Sequence, residues 1–317
     1  MKLANVRYQN RDLVVIAADG GRLVDVNALE PFRYQPLVKM LDLIRGGAEP
    51  IEGLRKALAG DGVRQAAEIP LEEVTWYPPV RRPGKIYAVA MNNAASNGHA
   101  LDHPAFTLKP ASCLIGHREP IRIRKYYGSV HPEPELAAVI WKSMRDVPAS
   151  KALEYVFGYT IFDDLTGSGM REEDRVHAGA KSNGAAHPES LSYAGRYKGT
   201  DSFGVMGPWL VTPDEVANPD ALAVSCEVNG HAVADDSTRF YNFKVAEVLS
   251  YISHFHTLDA GDVVSFGRAH DPAKANGLHR TDLQSAGGPV HVAIERLGRQ
   301  ENTVLIENEP LGEWRLR

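Results

Sequence analysis

Residues 133–140 of the chain read EPELAAVI, and a second apolar run, VFGYTIFDD, follows at residues 156–164. The stretch ELAAVIW at residues 135–141 and the second run are short and rich in aliphatic or aromatic residues, which is typical of buried strands. Similar runs predict further strands at residues 85–91, 222–230, 261–267 and 289–298. Many short strands with few long helices predict an α+β fold that is mainly β, with a rolled or barrel-like large domain.

The sequence N-terminal to these strands has a different residue pattern. Apolar spacing predicts helices at residues 36–46 and 51–59, and the glycines at residues 19–21 suit a hairpin between short strands. The proline-rich stretch WYPPVRRPGK follows at residues 76–85 and interrupts regular structure. We therefore predict a small N-terminal α/β domain at residues 1–80 and a larger domain at residues 81–317, in which one clear helix covers residues 242–254.

Composition excludes several classes of protein. Of the 317 residues, 40 are acidic and 35 are basic, a net charge of −5, which gives no electrostatic footprint for nucleic acid or an anionic membrane. The two cysteines provide neither a disulfide framework nor metal-ligand spacing. We see no signal-peptide pattern and no apolar run of membrane-spanning length. The expectation is a soluble, cytoplasmic protein that acts on a small molecule.

Three carboxylates suggest a metal site. Glu133 and Glu135 stand two residues apart on one predicted strand, so both side chains lie on the same face. Asp163 and Asp164 close the next apolar run, where side chains emerge from the core. A divalent cation would relieve the repulsion between such carboxylates, and oxygen ligands favour a hard ion such as Mg²⁺, Mn²⁺ or Ca²⁺. A solvated strand edge and a simple turn toward Gly167 are the alternative interpretations.

Seven blocks of the sequence, taken in order, resemble the signature blocks of the fumarylacetoacetate hydrolase superfamily. They are KIYAVAMN (85–92), FTLKPASCLIG (106–116), EPELAAVI (133–140), GYTIFDDLT (158–166), KGTDSFGVMGPWLVT (198–212), VNG (228–230) and LDAGDVVSFG (258–267). The resemblance covers nearly the whole chain, and seven blocks in the right order are far more specific than any single one.

This resemblance implies a mixed β-roll catalytic domain that forms a homodimer. It also implies that Glu133, Glu135 and Asp164 are the metal ligands, with Mg²⁺ or Mn²⁺ as the usual ion, and that Lys109 and Lys198 are active-site lysines. The substrates it implies are 2-oxo or β-diketo acids that chelate the metal through their oxygens. Metal and lysine together would stabilise the enolate that develops during reaction.

The sequence departs from the hydrolytic members at their water-activating pair, a His followed three residues later by a Glu. Alignment of the first block puts Ser96 and His99 at these two positions. His99 or His103 is a candidate replacement base, if the loop at residues 93–103 folds over the metal, because the pKa of histidine lies near neutrality. A solvated loop histidine is the alternative for each.

A second departure concerns substrate binding. Ser168 stands where hydrolytic members have an arginine, and Arg171 is a nearby candidate for the same role. Arg268 takes a position at which many relatives carry a small hydroxyl residue, and its guanidinium could grip a second substrate carboxylate. A salt-bridged surface arginine is the alternative interpretation of Arg268.

These residues leave three functions open. The leading hypothesis is a metal-dependent hydrolase that cleaves a carbon–carbon bond in an acylpyruvate or fumarylacetoacetate-like acid. Loss of the His–Glu pair also fits a decarboxylase, isomerase or hydratase of the same family. A catalytically inactive, oxo-acid-binding homodimer is the third. The sequence alone names neither the substrate nor the physiological metal.

Overall fold

The computed structural model describes residues 1–30, 32–34, 36–37, 39–93, 101–177, 190–274, 277–310 and 312. Strands dominate over helices, most of which are short. The α-helices are α1 (Met40–Gly46), α2 (Ala48–Ala59), α3 (Gly62–Gln65), α4 (Ala149–Ala152), α5 (Ser168–Glu173), α6 (Arg196–Gly199), α7 (Val245–Phe255) and α8 (Leu283–Ala286). Within these ranges, no helix has both the length and the apolar character needed to cross a bilayer.

The strands fall into two groups along the chain. Those ahead of residue 140 are β1 (Lys2–Tyr8), β2 (Arg11–Ala17), β3 (Leu23–Asp25), β4 (Glu68–Ile69), β5 (Thr75–Tyr77), β6 (Ile86–Ala90), β7 (Ala105–Lys109), β8 (Leu114–Ile115), β9 (Ile121–Arg124), β10 (Val130–His131) and β11 (Pro134–Ile140). Those after it are β12 (Val156–Asp163), β13 (Thr166–Gly167), β14 (Arg175–His177), β15 (Ser190–Ser192), β16 (Gly204–Met206), β17 (Leu210–Val211), β18 (Ala223–Val228), β19 (His231–Ser237), β20 (Val263–Arg268), β21 (Val290–Ile294), β22 (Gly298–Asn302) and β23 (Val304–Glu307).

A 13-stranded mixed sheet organises the molecule, with the main order β4-β3-β2-β1-β17-β12-β11-β20-β6-β7. A four-stranded sheet, β19-β18-β21-β22, packs against it. The six runs predicted as strands form β6, β11, β12, β18, β20 and β21, so the mainly β prediction is confirmed. Asn229 and Gly230, both at positive φ, make the predicted turn between β18 and β19.

Strand β11 is buried on both faces, which explains why its sequence shows no polar alternation. Leu136 and Ala138 belong to one core, together with Val292 of the four-stranded sheet. Ala137 belongs to the other core, together with Leu43 of α1. Only the start of this strand, where Glu135 stands, carries charge, and the strand therefore fixes where the carboxylates lie.

The N-terminal residues continue the main sheet. Strand β1 pairs with β17, and one apolar core holds residues from both sides of position 80. The division into two domains there stays a prediction. Helix α1 begins at Met40 and not at residue 36. Helix α7 begins at Val245 and not at residue 242. The Glu247 side chain accepts a hydrogen bond from the Lys244 amide and so caps the start of α7.

Candidate active site

The first part of the site is made by the paired ends of β11 and β12. Pro134 lies opposite Asp163 in this antiparallel pair. The Asp164 amide donates to the Glu133 carbonyl at 2.9 Å, and the Glu133 amide donates to Oδ1 of Asp163 at 2.7 Å. Glu133, Glu135 and Asp164 consequently present carboxylate oxygens within 4.8 Å of one another.

Strand β20 fixes the orientation of Glu135, which is fully enclosed. Its Oε2 atom accepts hydrogen bonds from Ser265 Oγ at 2.5 Å and from the Gly267 amide at 3.2 Å. Gly267 has φ +83°, and a Cβ there would lie 2.8 Å from the Val89 carbonyl oxygen. Glycine is therefore required to turn this amide toward the carboxylate.

Two lysines contact Asp164, one from the cavity wall and one from the protein interior. Lys198 borders the cavity, and its Nζ donates to Asp164 Oδ2 at 2.7 Å, to the Asp164 carbonyl at 2.9 Å and to Glu133 Oε2 at 3.1 Å. Lys109 is enclosed, and its Nζ contacts Asp164 Oδ1 at 2.5 Å, the Phe203 carbonyl at 3.2 Å and the Lys198 carbonyl. The two ammonium groups thus hold opposite oxygens of one carboxylate.

The electrostatics of the cluster fit a cation site. Burial and the charge of Asp164 raise the pKa of Glu135 well above its ordinary value. Burial would also raise the pKa of Glu133, but Lys198 and His131 bring it well below its usual range. Burial would lower the pKa of Lys198, whereas the three carboxylates raise it. A hard divalent ion among these oxygens would relieve the repulsion that disfavours ionisation of Glu135, so the residues present fit Mg²⁺ or Mn²⁺.

His131 and His279 lie beside this cluster and were missed as site residues in the sequence. The Ser168 hydroxyl lies 2.9 Å from His131 Nδ1, and His131 Nε2 lies 3.1 Å from Glu133 Oε1. The rings of His131 and His279 meet edge to face at 5.1 Å. His131 could have been found, because it stands two residues before Glu133 and alternation puts both on one face. His279 comes from a distant loop, and no local signal marks it.

A second arrangement of possible metal ligands, His131, Glu133 and His279, shares Glu133 with the first. Both ring nitrogens of His131 and Nε2 of His279 already have polar partners. Arg268 Nη2 lies 3.1 Å from His279 Nε2 and donates to it, while His131 Nε2 faces Glu133. A neighbouring guanidinium also repels a cation, so these residues fit a hydrogen-bonded frame around Glu133 better than a second metal site.

A cavity of about 750 Å³ opens onto the carboxylates of Glu133 and Asp164. Charged and polar side chains on its wall are those of Asn93, Thr107, Glu133, Asp164, Thr166, Arg171, Ser192, Tyr193, Tyr197, Lys198, Arg268 and His279. Of the residues predicted to bind substrate, Arg171 and Arg268 border this cavity, whereas the Ser168 hydroxyl faces His131. The structure thus brings most of the predicted site residues to one place.

His99 and His103, the two histidines predicted as candidate bases, stand differently in the structure. His103 is exposed, stacks on Tyr251 with ring centroids 5.6 Å apart, and is not among the residues that border the cavity. His99 and Ser96 lie outside the described residues.

Comparison with known proteins assigns the family. Residues 85–305 match the model of the fumarylacetoacetate (FAA) hydrolase C-terminal domain. The chain therefore belongs to the fumarylacetoacetate hydrolase family, as the seven sequence blocks predicted, and it has the fold of that family.

Individual relatives in this family carry out different reactions. The chain is 31% identical over 317 residues to a maleylpyruvate hydrolase from Aquipseudomonas alcaligenes, covering 92% of this chain and 96% of the relative. It is 31% identical over 259 residues to a mitochondrial oxaloacetate tautomerase from Bos taurus, covering 79% and 74%. A crystal structure of maleylpyruvate hydrolase from Sphingobium sp. SYK-6, in complex with manganese(II) ion and pyruvate, has a TM-score of 0.71 at 24% identity and covers 96% of this chain and 99% of that one.

Proposed function

We propose that this protein is a divalent-metal-dependent hydrolase that cleaves a carbon–carbon bond in a 2-oxo or β-diketo acid. Convergence of the Glu133, Glu135 and Asp164 carboxylates within 4.8 Å of one another carries this proposal, together with the substrate-sized cavity that Glu133 and Asp164 border. The similarity to a maleylpyruvate hydrolase along 92% of the chain supports it, as does the manganese in a solved hydrolase of the same fold.

The three carboxylates would hold Mg²⁺ or Mn²⁺, which when bound acts as a Lewis acid on the carbonyl of the substrate. Lys198 remains an ammonium group, because the surrounding carboxylates raise its pKa. It therefore serves as a hydrogen-bond donor from Nζ to the oxygen on which negative charge develops. A buried, fixed cation is effective there because it needs no reorientation during the reaction.

Lys109 has a different role in this scheme. Its side chain is fully enclosed, and its three contacts are an Asp164 oxygen and two backbone carbonyls. It does not border the cavity. Lys109 thus positions Asp164 and the backbone of Lys198, and it does not touch the substrate.

Hydrolysis also needs a base that takes a proton from water. The His103 ring stacks on Tyr251 and does not border the cavity. Of the two histidines predicted as bases, His99 is therefore the remaining candidate. The position of His103 favours a second candidate function, the keto–enol tautomerisation or isomerisation of a 2-oxo acid. That reaction moves protons between carbon and oxygen of the substrate and requires no activated water.

The test is a product analysis by NMR. Purified protein is loaded with Mg²⁺ or Mn²⁺ and incubated with acylpyruvates, maleylpyruvate, fumarylpyruvate and oxaloacetate. Pyruvate plus a second carboxylic acid supports the hydrolase. Deuterium exchange at C3 without cleavage supports the tautomerase, and bicarbonate would point to a decarboxylase. Glu135→Gln should abolish each reaction, whereas Glu227→Gln, a matched change on the exposed face of β18, should not. Failure to bind either metal would refute both candidates.

A further inference from the structure

We infer that Arg268, held by His279, binds the second carboxylate of a dicarboxylic 2-oxo acid and makes this chain prefer diacids to the matching monoacids. This inference rests on the proposed function, because the oxo group and first carboxylate of such a substrate would bind at the metal held by Glu133, Glu135 and Asp164. It adds the residue by which this chain would select a diacid over a monoacid.

The guanidinium of Arg268 is buried and incompletely paired. Arg268 is only 9% exposed, and it borders the cavity. Its Nη2 donates to His279 Nε2 at 3.1 Å. Its Nη1 has no hydrogen-bond partner in the described part of the chain, and no ion pair joins it to a described Asp or Glu. A buried charge without an acceptor is costly, so a ligand anion is the natural partner.

The register of the sheet puts this guanidinium close to the metal ligands. Arg268 stands directly opposite Glu135 in the antiparallel pair of β11 and β20. Cα atoms of such partners are about 4.5–5.5 Å apart. Arg268 also borders the same cavity as Glu133 and Asp164, so one substrate could reach both.

The charges at the site match a dianion. The carboxylates of Glu133, Glu135 and Asp164 are offset by the cations Lys109, Lys198 and Arg268. Arg171 also borders the cavity, so with a divalent ion bound the site would be net positive and would favour a dicarboxylate over a monocarboxylate. The guanidinium fork is also suited to grip a carboxylate through two parallel hydrogen bonds.

His279 acts as a positioning residue for Arg268. Its Nε2 atom can accept from the guanidinium only if the ring is neutral with its proton on Nδ1. Burial, followed by the charge of Arg268, lowers the pKa of His279 and favours that neutral form. The His279 side chain is partly exposed, and its ring meets that of His131, which in turn contacts Glu133, edge to face.

The experiment compares two acids with the same carbon skeleton, 2-oxopentanedioate and 2-oxopentanoate, by calorimetric titration into the Mg²⁺-loaded protein. The wild type should bind the diacid at least about 10-fold more tightly, which is the effect of a charge-assisted hydrogen-bond pair. Arg268→Gln should reduce this preference to less than about 3-fold. Arg299→Gln, an exposed arginine on β22, is the matched control and should retain it.

Each remaining outcome has one meaning. If neither acid binds the metal-loaded wild type, the proposed function on which the subsite depends is refuted. Equal binding of both acids by the wild type overturns the subsite and leaves the proposed function intact. If Arg268→Gln weakens both acids equally, the arginine acts through the metal site and the inference is wrong; Mn²⁺ binding followed by electron paramagnetic resonance reports that loss directly.

Variants of His279 separate positioning from simple packing. His279→Leu removes the acceptor of the guanidinium and should reduce the preference for the diacid at least about 3-fold. His279→Gln retains an acceptor oxygen and should restore most of it. If both variants lower the stability of the protein equally but leave the preference unchanged, His279 does not position Arg268.

Discussion

The Nζ atom of Lys109 lies 2.5 Å from Oδ1 of Asp164, and both side chains are closed off from solvent. Lys198 holds the other oxygen of the same carboxylate from the cavity side, at 2.7 Å. One lysine is therefore enclosed beneath the candidate metal ligand, and the other faces the space in which a substrate would lie. Their roles should differ in a way that mutation can resolve.

Lys109→Met should impair both stability and metal binding. It leaves Asp164 as a buried charge with one partner fewer, which typically costs about 3–5 kcal/mol of the free energy of unfolding. Urea denaturation and Mn²⁺ titration measure the two effects. Lys56→Met, at an exposed position on α2, is the control and should change neither. A Lys109→Met protein with wild-type stability and metal affinity would contradict the positioning role.

His131→Phe should weaken metal binding without abolishing the fold. The His131 ring hydrogen-bonds Glu133 Oε1 and is itself fixed by the Ser168 hydroxyl. Groups that orient a ligand in this way typically contribute about 10–100-fold to metal affinity. Competition with a chelator measures the dissociation constant for Mn²⁺. His254→Phe, at the exposed end of α7, serves as control; an equal loss in both variants would refute the orienting role.

His103→Gln should retain activity within about 2-fold of the wild type, because a surface side chain stacked on Tyr251 contributes little to a reaction at the carboxylates. His99→Gln is the informative comparison. Loss of hydrolysis with retention of metal binding would support His99 as the base that activates water. Unchanged activity in both variants would favour the tautomerase over the hydrolase. The initial rate of product formation, followed by NMR, distinguishes these results.

The stability of the protein should fall in acid partly because of His117. Burial, then the charge of Arg118, lowers the pKa of His117 to about 4, from 6.5 in the unfolded chain. Between these values the unfolded chain binds more protons, so the stabilising contribution present above pH 6.5 is lost as the pH falls toward 4. His117→Gln keeps an acceptor for the Glu301 amide and should flatten this loss by up to about 2 kcal/mol.

Urea denaturation at pH 7 and at pH 4.5 provides the measurement for His117. His254→Gln is the matched control, because His254 is exposed and pairs with Asp146 at the surface. The same difference in the free energy of unfolding between the two pH values for His117→Gln and for the wild type would show that this histidine does not contribute to acid sensitivity.

Much of the fold was predictable because its strands carry local signals. The runs that form β11 and β12 are apolar throughout, and the turn at Asn229 and Gly230 has its own chemistry. Helix ends were less predictable. Helix α7 begins three residues later than its apolar spacing suggested, because its start depends on the hydrogen bond between Lys244 and Glu247.

The sequence by itself determined the family, and it put Glu133 and Glu135 on one face of a strand, because alternation places residues two apart on the same side. The tertiary structure alone decided how distant residues meet: that Lys109 is enclosed behind Asp164, that His103 turns to Tyr251, and that His279 supports Arg268. Strand register and loop packing join positions far apart in the chain, and no local pattern encodes such contacts.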